Sequence, residues 1–218
     1  RSRGNVVNPD DIVKTYGADT MRVYMAFLGP HEAEVAWNDK GIIGSRRFLE
    51  RVWNLTGFIS KKEPADVTQA LHKAIDKVSK DIESHSFNTA ISALMICVND
   101  FYESKSITKK TLSEFLILLS PFSPHISEEI WKEIGNKKTI FEAKWPKANP
   151  KILASEKITM AIQVNGKTRG LMVVGVNDND EKVTEIAKKV HGVAGQLEGK
   201  EIIKTIVVKG KIINFVAK

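Results

Sequence analysis

Residues 66–83, DVTQALHKAIDKVSKDIE, decide the fold of the first two thirds of the chain. Apolar residues recur there in steps of four, four, three and four: Val67, Leu71, Ile75, Val78 and Ile82. This spacing places them on one face of an α-helix whose other face is polar. Because such an apolar face must be covered by another element, further helices are expected around it.

The segments on both sides have the same periodicity and are separated by glycine and proline residues. Asn8 and Pro9 are typical of a helix start, and Gly17 is typical of a helix end. Six further helices are predicted, at residues 8–16, 19–28, 38–59, 88–102, 112–119 and 124–135. Short connections between amphipathic helices favour an antiparallel bundle, which we predict over residues 38–146.

The hydrophobic period changes to two beyond Pro150, where apolar residues alternate over residues 158–164. Asn165 and Gly166 follow, the residue pair that best forms a tight hairpin turn. The remaining elements are predicted as a strand at 167–175, a helix around 183–187, and strands at 202–208 and 211–216. This ββαββ order predicts a small α+β domain with a mixed sheet at residues 158–218, after a linker at 147–157.

The composition is typical of a folded globular protein: 42% of the 218 residues are hydrophobic and 27% are charged. No segment approaches the roughly 18 apolar residues that span a bilayer, and the first residues lack the apolar core of a signal peptide. We therefore expect a cytoplasmic protein with no membrane partner. Because the chain starts at Arg1 rather than methionine, we also expect it to be a piece of a longer protein.

The net charge of +7 is concentrated at the C-terminal end of the chain. Residues 151–218 contain 12 Lys and Arg against 7 Asp and Glu, which leaves 21 against 19 in the residues before them. A basic domain favours a polyanionic partner, because each neutralised phosphate releases counterions. Many basic domains are merely soluble, so charge alone does not establish nucleic-acid binding.

No combination of residues indicates a complete catalytic site or a metal site. The single cysteine, Cys97, excludes an internal disulfide and a cysteine-cluster zinc site, and its apolar helical surroundings predict a core residue. The five histidines show no pair at metal-ligand spacing. Gly166, Lys167 and Thr168 resemble the end of a phosphate-binding loop, but Ala161 stands where its first glycine belongs, and a strand rather than a helix follows.

The strongest binding candidates are the basic residues of the α+β domain. They lie beyond the hairpin turn, at the end of the predicted helix, and at the second turn: Lys167, Arg169, Lys188, Lys189, Lys209 and Lys211. A solvated surface is the alternative for each of them. Lys188 and Lys189 have a further structural explanation, because cations at a helix C-terminus complement the helix dipole.

Several stretches resemble one family of proteins. The opening RSRGNVVNPDDIVKTYGADTMRVYMAFLGP is similar to the sequence that follows the ATP-binding signature loop of class I aminoacyl-tRNA synthetases. Residues 120–131, SPFSPHISEEIW, resemble the anticodon-binding helical domain of the leucine, isoleucine, valine and methionine enzymes. WNDKGIIGSRRFLERVWNL at 37–55 and MAIQVNGKTRG at 160–170 resemble bacterial leucyl-tRNA synthetases.

This resemblance implies a role for each part of the chain. Residues 1–37 would be the tail of the catalytic region, in which Arg1 and Ser2 match the end of the ATP-binding loop. The bundle would be the anticodon-binding domain, and residues 158–218 would contact the outer corner of leucine tRNA. The implied parent enzyme is a monomer that activates leucine with ATP and magnesium and transfers it to that tRNA. This piece would have no activity of its own and no cofactor.

Two alternatives stay open. The chain could be a non-catalytic scaffold or protein-interaction module, whose small sheet domain shares only its architecture with known modules. It could also belong to a valyl or isoleucyl synthetase. The resemblance implies a C-terminal coiled coil for the valyl enzyme and a zinc-binding domain for the isoleucyl enzyme, and the sequence has neither a long heptad pattern nor a cysteine cluster.

Overall fold

The computed structural model describes residues 7–30, 35–154, 157–175, 178–208 and 210–218. The chain divides between Asn149 and Pro150 into two units. We call the part up to Asn149 the helical unit and the part from Pro150 to Lys218 the sheet unit.

The helical unit is a bundle, as predicted. Its helices are α1 (Pro9–Tyr16), α2 (Ala18–Phe27), α3 (Asp39–Trp53), α4 (Ala65–Glu83), α5 (Phe87–Ser104), α6 (Lys109–Leu119) and α7 (Pro124–Glu133). Short 3-10 helices follow α3 at Asn54–Phe58 and α7 at Ile140–Glu142. The predicted helix at 38–59 was therefore too long, because Thr56 and Gly57 have low helical propensity and the chain tightens there.

The first helix starts and ends at the predicted signals. The Asn8 side chain accepts a hydrogen bond from the Asp10 N–H at 3.1 Å, and Pro9 occupies the first helical position. Gly17 adopts a φ of 90° and donates its N–H to the Val13 carbonyl. Because residues with a side chain rarely adopt this φ, the glycine permits the chain to turn directly into α2.

The position of α3 is set by close packing against α2. A Cβ atom at Gly41 would lie 2.7 Å from the Tyr24 ring, so only glycine permits this approach. The Tyr24 hydroxyl also donates to the Asn38 carbonyl and accepts from the Asn38 N–H, both at 2.8 Å. The start of α3 is therefore held in place by three contacts from one tyrosine.

One apolar core holds the bundle together. The α4 face predicted from the sequence is buried at Val67, Leu71, Ile75 and Val78, and it packs with residues of α5 and α6. Cys97 lies within this core, and its burial raises the pKa of the thiol well above its ordinary value. The prediction that Cys97 is a core residue is confirmed.

A short pair of parallel strands, β1 (Ile59–Ser60) and β2 (Ile107–Thr108), was not predicted. Beside it, the Glu63 carboxylate accepts hydrogen bonds from the Thr108 N–H at 2.7 Å, the Thr111 hydroxyl at 2.7 Å and the Thr68 hydroxyl at 2.9 Å. Burial alone would raise the pKa of Glu63, but these bonds outweigh it and lower the pKa. This carboxylate therefore ties the loop before α4 to the start of α6.

The sheet unit contains a four-stranded mixed sheet, as predicted. Its elements are α8 (Pro150–Ala154), β3 (Lys157–Val164), β4 (Lys167–Gly175), α9 (Asp180–Lys189), α10 (His191–Leu197), β5 (Ile202–Val208) and β6 (Ile212–Ala217). The spatial order is β4-β3-β6-β5, with antiparallel hairpins at both edges and a parallel pair, β3 and β6, in the middle. The short helix α8 lies within the predicted linker at 147–157.

The predicted ββαββ order needs one correction, because a second helix, α10, follows α9. Its sequence, HGVAGQL, contains two glycines and few apolar residues, so no helical period is visible. Both helices lie against one face of the sheet, where the core includes Met160, Ile162, Phe215, Val183 and Val193. The opposite face is open, and Leu171 and Val173 of β4 are more than half exposed there.

Candidate nucleic-acid interface

The hairpin between β3 and β4 carries the first of the predicted binding residues. Asn165 and Gly166 have φ angles of 52° and 77°, which are the positive values that a type I′ turn requires. Lys167 follows immediately at the start of β4, and its side chain is exposed. The predicted tight turn is confirmed.

This turn is fixed to the end of β6 by amide groups. The Asn165 side chain donates to the Ala217 carbonyl and accepts from the Ala217 N–H, both at 2.9 Å. The Gly166 N–H donates to the Asn214 side-chain oxygen at 3.1 Å, and the Asn165 N–H donates to the Phe215 carbonyl at 2.8 Å. Lys167 therefore follows a rigid turn rather than a loose loop.

Arg169 lies at a β-bulge. The pairing of β3 with β4 shifts between Ile162 and Gln163, which leaves Arg169 without a partner on β3. The start of α10 packs directly against this position: a Cβ atom at Gly192 would lie 2.6 Å from the Arg169 carbonyl oxygen. The backbone of Arg169 is therefore held by the helix, while its side chain is exposed.

The lysines at the end of α9 lie at the same end of the sheet. The helix starts beside Gly175, whose N–H donates to Asp178, and it returns along β4 to Val190, which would contact a Cβ atom at Gly170. Lys188 and Lys189 precede Val190 and are exposed. We call Lys167, Arg169, Lys188 and Lys189 the hairpin-end cluster.

The remaining predicted binding residues are not part of this cluster. Lys211 is exposed at the turn between β5 and β6, next to Gly210, which lies near Ile158 at the opposite end of β3. Lys209, Arg1 and Ser2 lie outside the described residues. The six predicted residues therefore do not form one surface.

The hairpin-end cluster keeps its charge. In the part of the chain that the structure describes, none of its four members forms an ion pair. By contrast, Lys182 near the start of α9 pairs with Asp178 at 2.7 Å, and this contact together with the Gly175 N–H lowers the pKa of Asp178. Within the described residues, Lys182 is thus neutralised by an acidic partner, whereas the four members of the hairpin-end cluster are not.

Comparison with known proteins assigns the chain to a family. Residues 66–186 match the family model described as the anticodon-binding domain of tRNA ligase, which covers more than half of the chain. The chain belongs to this family. It is also similar to a solved LeuRS from Agrobacterium radiobacter, in a ternary complex with tRNA and LeuAMS, with 30% identity and a TM-score of 0.80. That similarity covers 100% of this chain and 31% of the LeuRS chain.

The resemblance to the class I anticodon-binding domain and to leucyl-tRNA synthetase, stated from the sequence, is thereby confirmed. The family match extends from the helical unit into α9 of the sheet unit. The chain spans about a third of the length of the LeuRS that it matches. The hairpin-end cluster stays a prediction, since neither comparison concerns individual binding residues.

The helical unit of this anticodon-binding family member has a depression of about 840 Å³ between α1, α2, α3 and α7. Asp19 is buried at its wall, where one carboxylate oxygen contacts His125 Nδ1 at 2.7 Å and the other accepts from the Ile126 N–H at 2.7 Å. These contacts tie α2 to the start of α7. Because both oxygens are occupied by structural contacts, we assign the Asp19–His125 pair a structural role.

The described ranges of this family member contain no group of three or more His, Cys, Asp or Glu side chains that could hold a metal ion. No described helix combines the length and the apolar character needed to cross a membrane.

The sequence analysis missed the residues that position the cluster. It identified Asn165 as a turn residue but not as the partner of Ala217, and it did not single out Asn214 or Gly192. A signal for Asn214 exists, because this amide interrupts the apolar run of the last strand. No signal in the sequence shows that Gly192 approaches Arg169, because the two residues meet only in the folded unit.

Proposed function

We propose that this chain is the tRNA-docking part of a leucine–tRNA ligase. Two observations support the proposal: the chain belongs to the anticodon-binding domain family, and its full length is similar to part of a LeuRS that was solved with tRNA. The observation that carries the docking role is the hairpin-end cluster, in which four exposed cations lie around a rigid turn and form no ion pair with any described carboxylate.

The cluster binds phosphates rather than bases. Lysine and arginine side chains attract the phosphate backbone regardless of sequence, and the planar arginine fork can hold a phosphate through two hydrogen bonds. Phe215 is the single Phe, Tyr or Trp in the sequence from 150 to 218, and it is buried in the core. Because no exposed side chain of these three types is available for stacking, the sheet unit recognises the shape and charge of the RNA.

In the complete enzyme, we propose that leucine is activated with ATP and magnesium and is then transferred to leucine tRNA. Arg1 and Ser2 would contribute to the ATP-binding loop by stabilising phosphate charge. The 218-residue chain would dock tRNA without catalysing either step, as a monomer. The cytoplasm, where translation uses charged tRNA, is the proposed location.

The experiment is a titration of the 218-residue chain against purified leucine tRNA and two other tRNAs. The test variant is Lys167→Ala, Arg169→Ala. The matched control is Lys182→Ala, Lys211→Ala, which removes the same charge from the opposite end of the same unit, in part from a lysine that Asp178 already neutralises. We expect tightest binding of leucine tRNA by the wild type, and a loss of about tenfold or more in the test variant relative to the control.

Two outcomes contradict the proposal. If the chain binds no tRNA even at low salt, it is not a docking unit, and a protein-interaction module becomes the better account. If both double variants bind tRNA equally, RNA does not contact the hairpin-end cluster. Equal binding of all tRNAs would contradict the assignment to leucine while leaving the docking role intact.

A further inference from the structure

One face of α3 carries cations that form no ion pair with an acidic side chain that the structure describes. Lys40, Arg47 and Arg51 follow one another with Gly44 in steps of four, three and four residues, so they lie along a single face. Lys40 and Arg47 are exposed, and Arg51 is half-buried. Nothing lies within 4 Å of a Cβ atom built at Gly44, which shows that the face is open between its charges.

Arg51 is held in place by neutral groups. Its Nη1 donates to the Asn99 side-chain oxygen at 2.8 Å, and its guanidinium carbon lies 4.4 Å from the centre of the Tyr102 ring. The Tyr102 hydroxyl donates to the Arg51 carbonyl at 3.0 Å, and Phe58 packs edge-on against the same ring at 4.9 Å. The guanidinium is therefore positioned, while its charge and its other N–H donors stay available.

The neighbouring arginine is arranged differently. Arg46 Nε donates to the Glu50 carboxylate at 2.9 Å, and its Nη1 donates to the Tyr16 carbonyl at 3.1 Å. The charge of Arg46 is thus neutralised within the helical unit. No such ion pair exists for Arg47 or Arg51 in the described ranges.

Packing between α3 and α5 explains the stacking of Arg51 on Tyr102, but it does not explain the rest of the face. Arg47 makes no packing contribution of this kind, and Lys40 is exposed a further two turns away. The Arg51 guanidinium is held in place, and the Arg47 guanidinium, about one turn earlier on α3, forms no ion pair in the described ranges. Phosphate groups suit such side chains, because a phosphate can accept two N–H donors from one guanidinium. The face extends over about 16 Å, which suits several consecutive nucleotides of a backbone.

We propose that Lys40, Arg47 and Arg51 form a second phosphate-binding surface for the docked RNA, with Arg51 as its anchor and Asn99 and Tyr102 as positioning residues. This inference rests on the proposed tRNA-docking function and adds contacts in the helical unit to those of the hairpin-end cluster. It does not require that the two surfaces bind the same region of the RNA.

The test measures tRNA affinity of the 218-residue chain as a function of salt for Arg47→Gln and Arg51→Gln, with Arg46→Gln as the matched control. We expect each test variant to bind about three- to tenfold more weakly and to reduce the slope of log K against log salt by about one. Arg46→Gln should leave affinity and slope close to the wild type. Because Arg47 is exposed and unpaired, its variant keeps the test valid even if Arg51→Gln perturbs folding.

A second measurement separates positioning from simple packing. Asn99→Ala leaves the charge of Arg51 in place but removes its hydrogen bond, so affinity should fall with little change in the salt slope. In an Arg51→Gln background, Asn99→Ala should have no further effect on RNA binding. An undiminished effect in that background would contradict the positioning role, because Asn99 would then act without Arg51.

The results also distinguish this inference from the proposed function. If Arg47→Gln and Arg51→Gln bind like Arg46→Gln while Lys167→Ala, Arg169→Ala binds more weakly, the α3 surface is refuted and docking by the sheet unit stands. If the α3 variants weaken binding and the sheet-unit variant does not, the inference stands and the hairpin-end cluster is wrong. If no tRNA binds to the wild type, both are refuted.

Discussion

The helical unit and the sheet unit use different chemical groups to hold their loops. In the helical unit, the anchors are carboxylates: Glu63 ties the loop before α4 to α6, and Glu128 accepts from the Ile140 N–H at 2.8 Å. In the sheet unit, the exposed hairpin is anchored by the amides of Asn165 and Asn214. Asp178 is also a carboxylate anchor, but it lies at the opposite end of the sheet.

A surface can be rigid and still attract an anion when neutral groups hold it in place. A carboxylate satisfies several donors at once, but it adds negative charge to its surroundings. An amide oxygen satisfies fewer donors, but it adds no negative charge. Because the hairpin is held by amides, the four cations around it keep the positive potential that phosphate binding requires.

The largest expected effect is on the carboxylate anchor. Glu63→Gln keeps the shape of the side chain, but its single oxygen cannot serve the three donors from Thr108, Thr111 and Thr68. We expect the free energy of unfolding of the helical unit to fall by about 2–3 kcal/mol. All four tryptophans precede Asn149, so tryptophan fluorescence during urea unfolding reports this unit alone.

The pH dependence of the same variant provides an internal check. Because the pKa of Glu63 is lowered in the folded state, its stabilising contribution is present above the ordinary value of 4.5 and is lost as pH falls through the folded pKa. Glu63→Gln should therefore lose less stability below pH 4.5 than the wild type. Glu83 is an exposed glutamate on α4, so Glu83→Gln should lose unfolding free energy at acid pH in the same way as the wild type. The same loss in all three proteins would contradict the role of Glu63 as an anchor.

The next effect concerns the close packing beneath Arg169. Gly192→Ala would place a Cβ atom 2.6 Å from the Arg169 carbonyl oxygen, so α10 or β4 must move. We expect the sheet unit to lose about 1–3 kcal/mol of stability, measured by amide hydrogen exchange of β4. Gly195→Ala in the same helix meets nothing within 4 Å and should be neutral or slightly stabilising. Equal effects of the two substitutions would show that the close approach is not what holds Arg169.

A smaller effect directly tests the role of the neutral amide. Asn214→Asp keeps the oxygen that accepts from the Gly166 N–H but adds negative charge beneath the hairpin. We expect the sheet unit to stay folded and tRNA affinity to fall about three- to fivefold. Asn179→Asp makes the same chemical change at the far end of α9, where Asn179 caps the helix. Because aspartate caps a helix about as well as asparagine, this variant should leave tRNA affinity nearly unchanged. Unchanged affinity in Asn214→Asp would contradict the view that the neutral Asn214 amide preserves the positive potential at the hairpin.

The smallest expected effect is a gain in stability of the helical unit. Burial is the main cause that raises the pKa of Asp100, and the neighbouring Glu103 and Asp66 raise it further against the opposing effect of Lys73. Ionisation of Asp100 is therefore less favourable in the folded state than in the unfolded chain. Asp100→Asn should stabilise the unit by less than about 0.5 kcal/mol at pH 7, because solvent screens this partly exposed group.

The gain from Asp100→Asn should shrink as pH falls through the raised pKa, where the folded wild type becomes protonated, and it should be absent below the ordinary value of 3.8. Urea unfolding followed by tryptophan fluorescence at pH 7 and at about pH 3 measures both values. A loss of stability at pH 7 would show instead that Lys73 dominates the surroundings of Asp100.

The sequence predicts the fold well wherever periodicity is long. The five apolar positions from Val67 to Ile82 predict α4, and the Asn165–Gly166 pair predicts the hairpin turn, but not the bulge at Arg169. Elements without a period were missed: β1 and β2 have two residues each, and α10 contains two glycines. Contacts between distant residues were missed as well, since Glu63 lies 45 positions from Thr108.

The candidate site was predicted only in part. Exposed cations near the hairpin could be identified from charge and turn residues, but the sequence did not show which of them would share a surface. That depends on α9 returning along β4, which brings Lys188 and Lys189 toward Arg169 and leaves Lys211 at the other end. The cationic face of α3 was not predicted, because Arg46 and Arg47 look alike in the sequence. The structure shows that Arg46 pairs with Glu50, whereas Arg47 forms no ion pair in the described ranges.

The salt dependence of tRNA binding shows whether the hairpin-end cluster contacts tRNA phosphates. We would measure log K against log salt for leucine tRNA with the wild type and with Lys167→Ala, Arg169→Ala. If these two residues contact phosphates, the slope of the double variant should be smaller by about 1.4–1.8 at the values typical of single- and double-stranded nucleic acid. Identical slopes and affinities for the two proteins would contradict docking through the hairpin-end cluster.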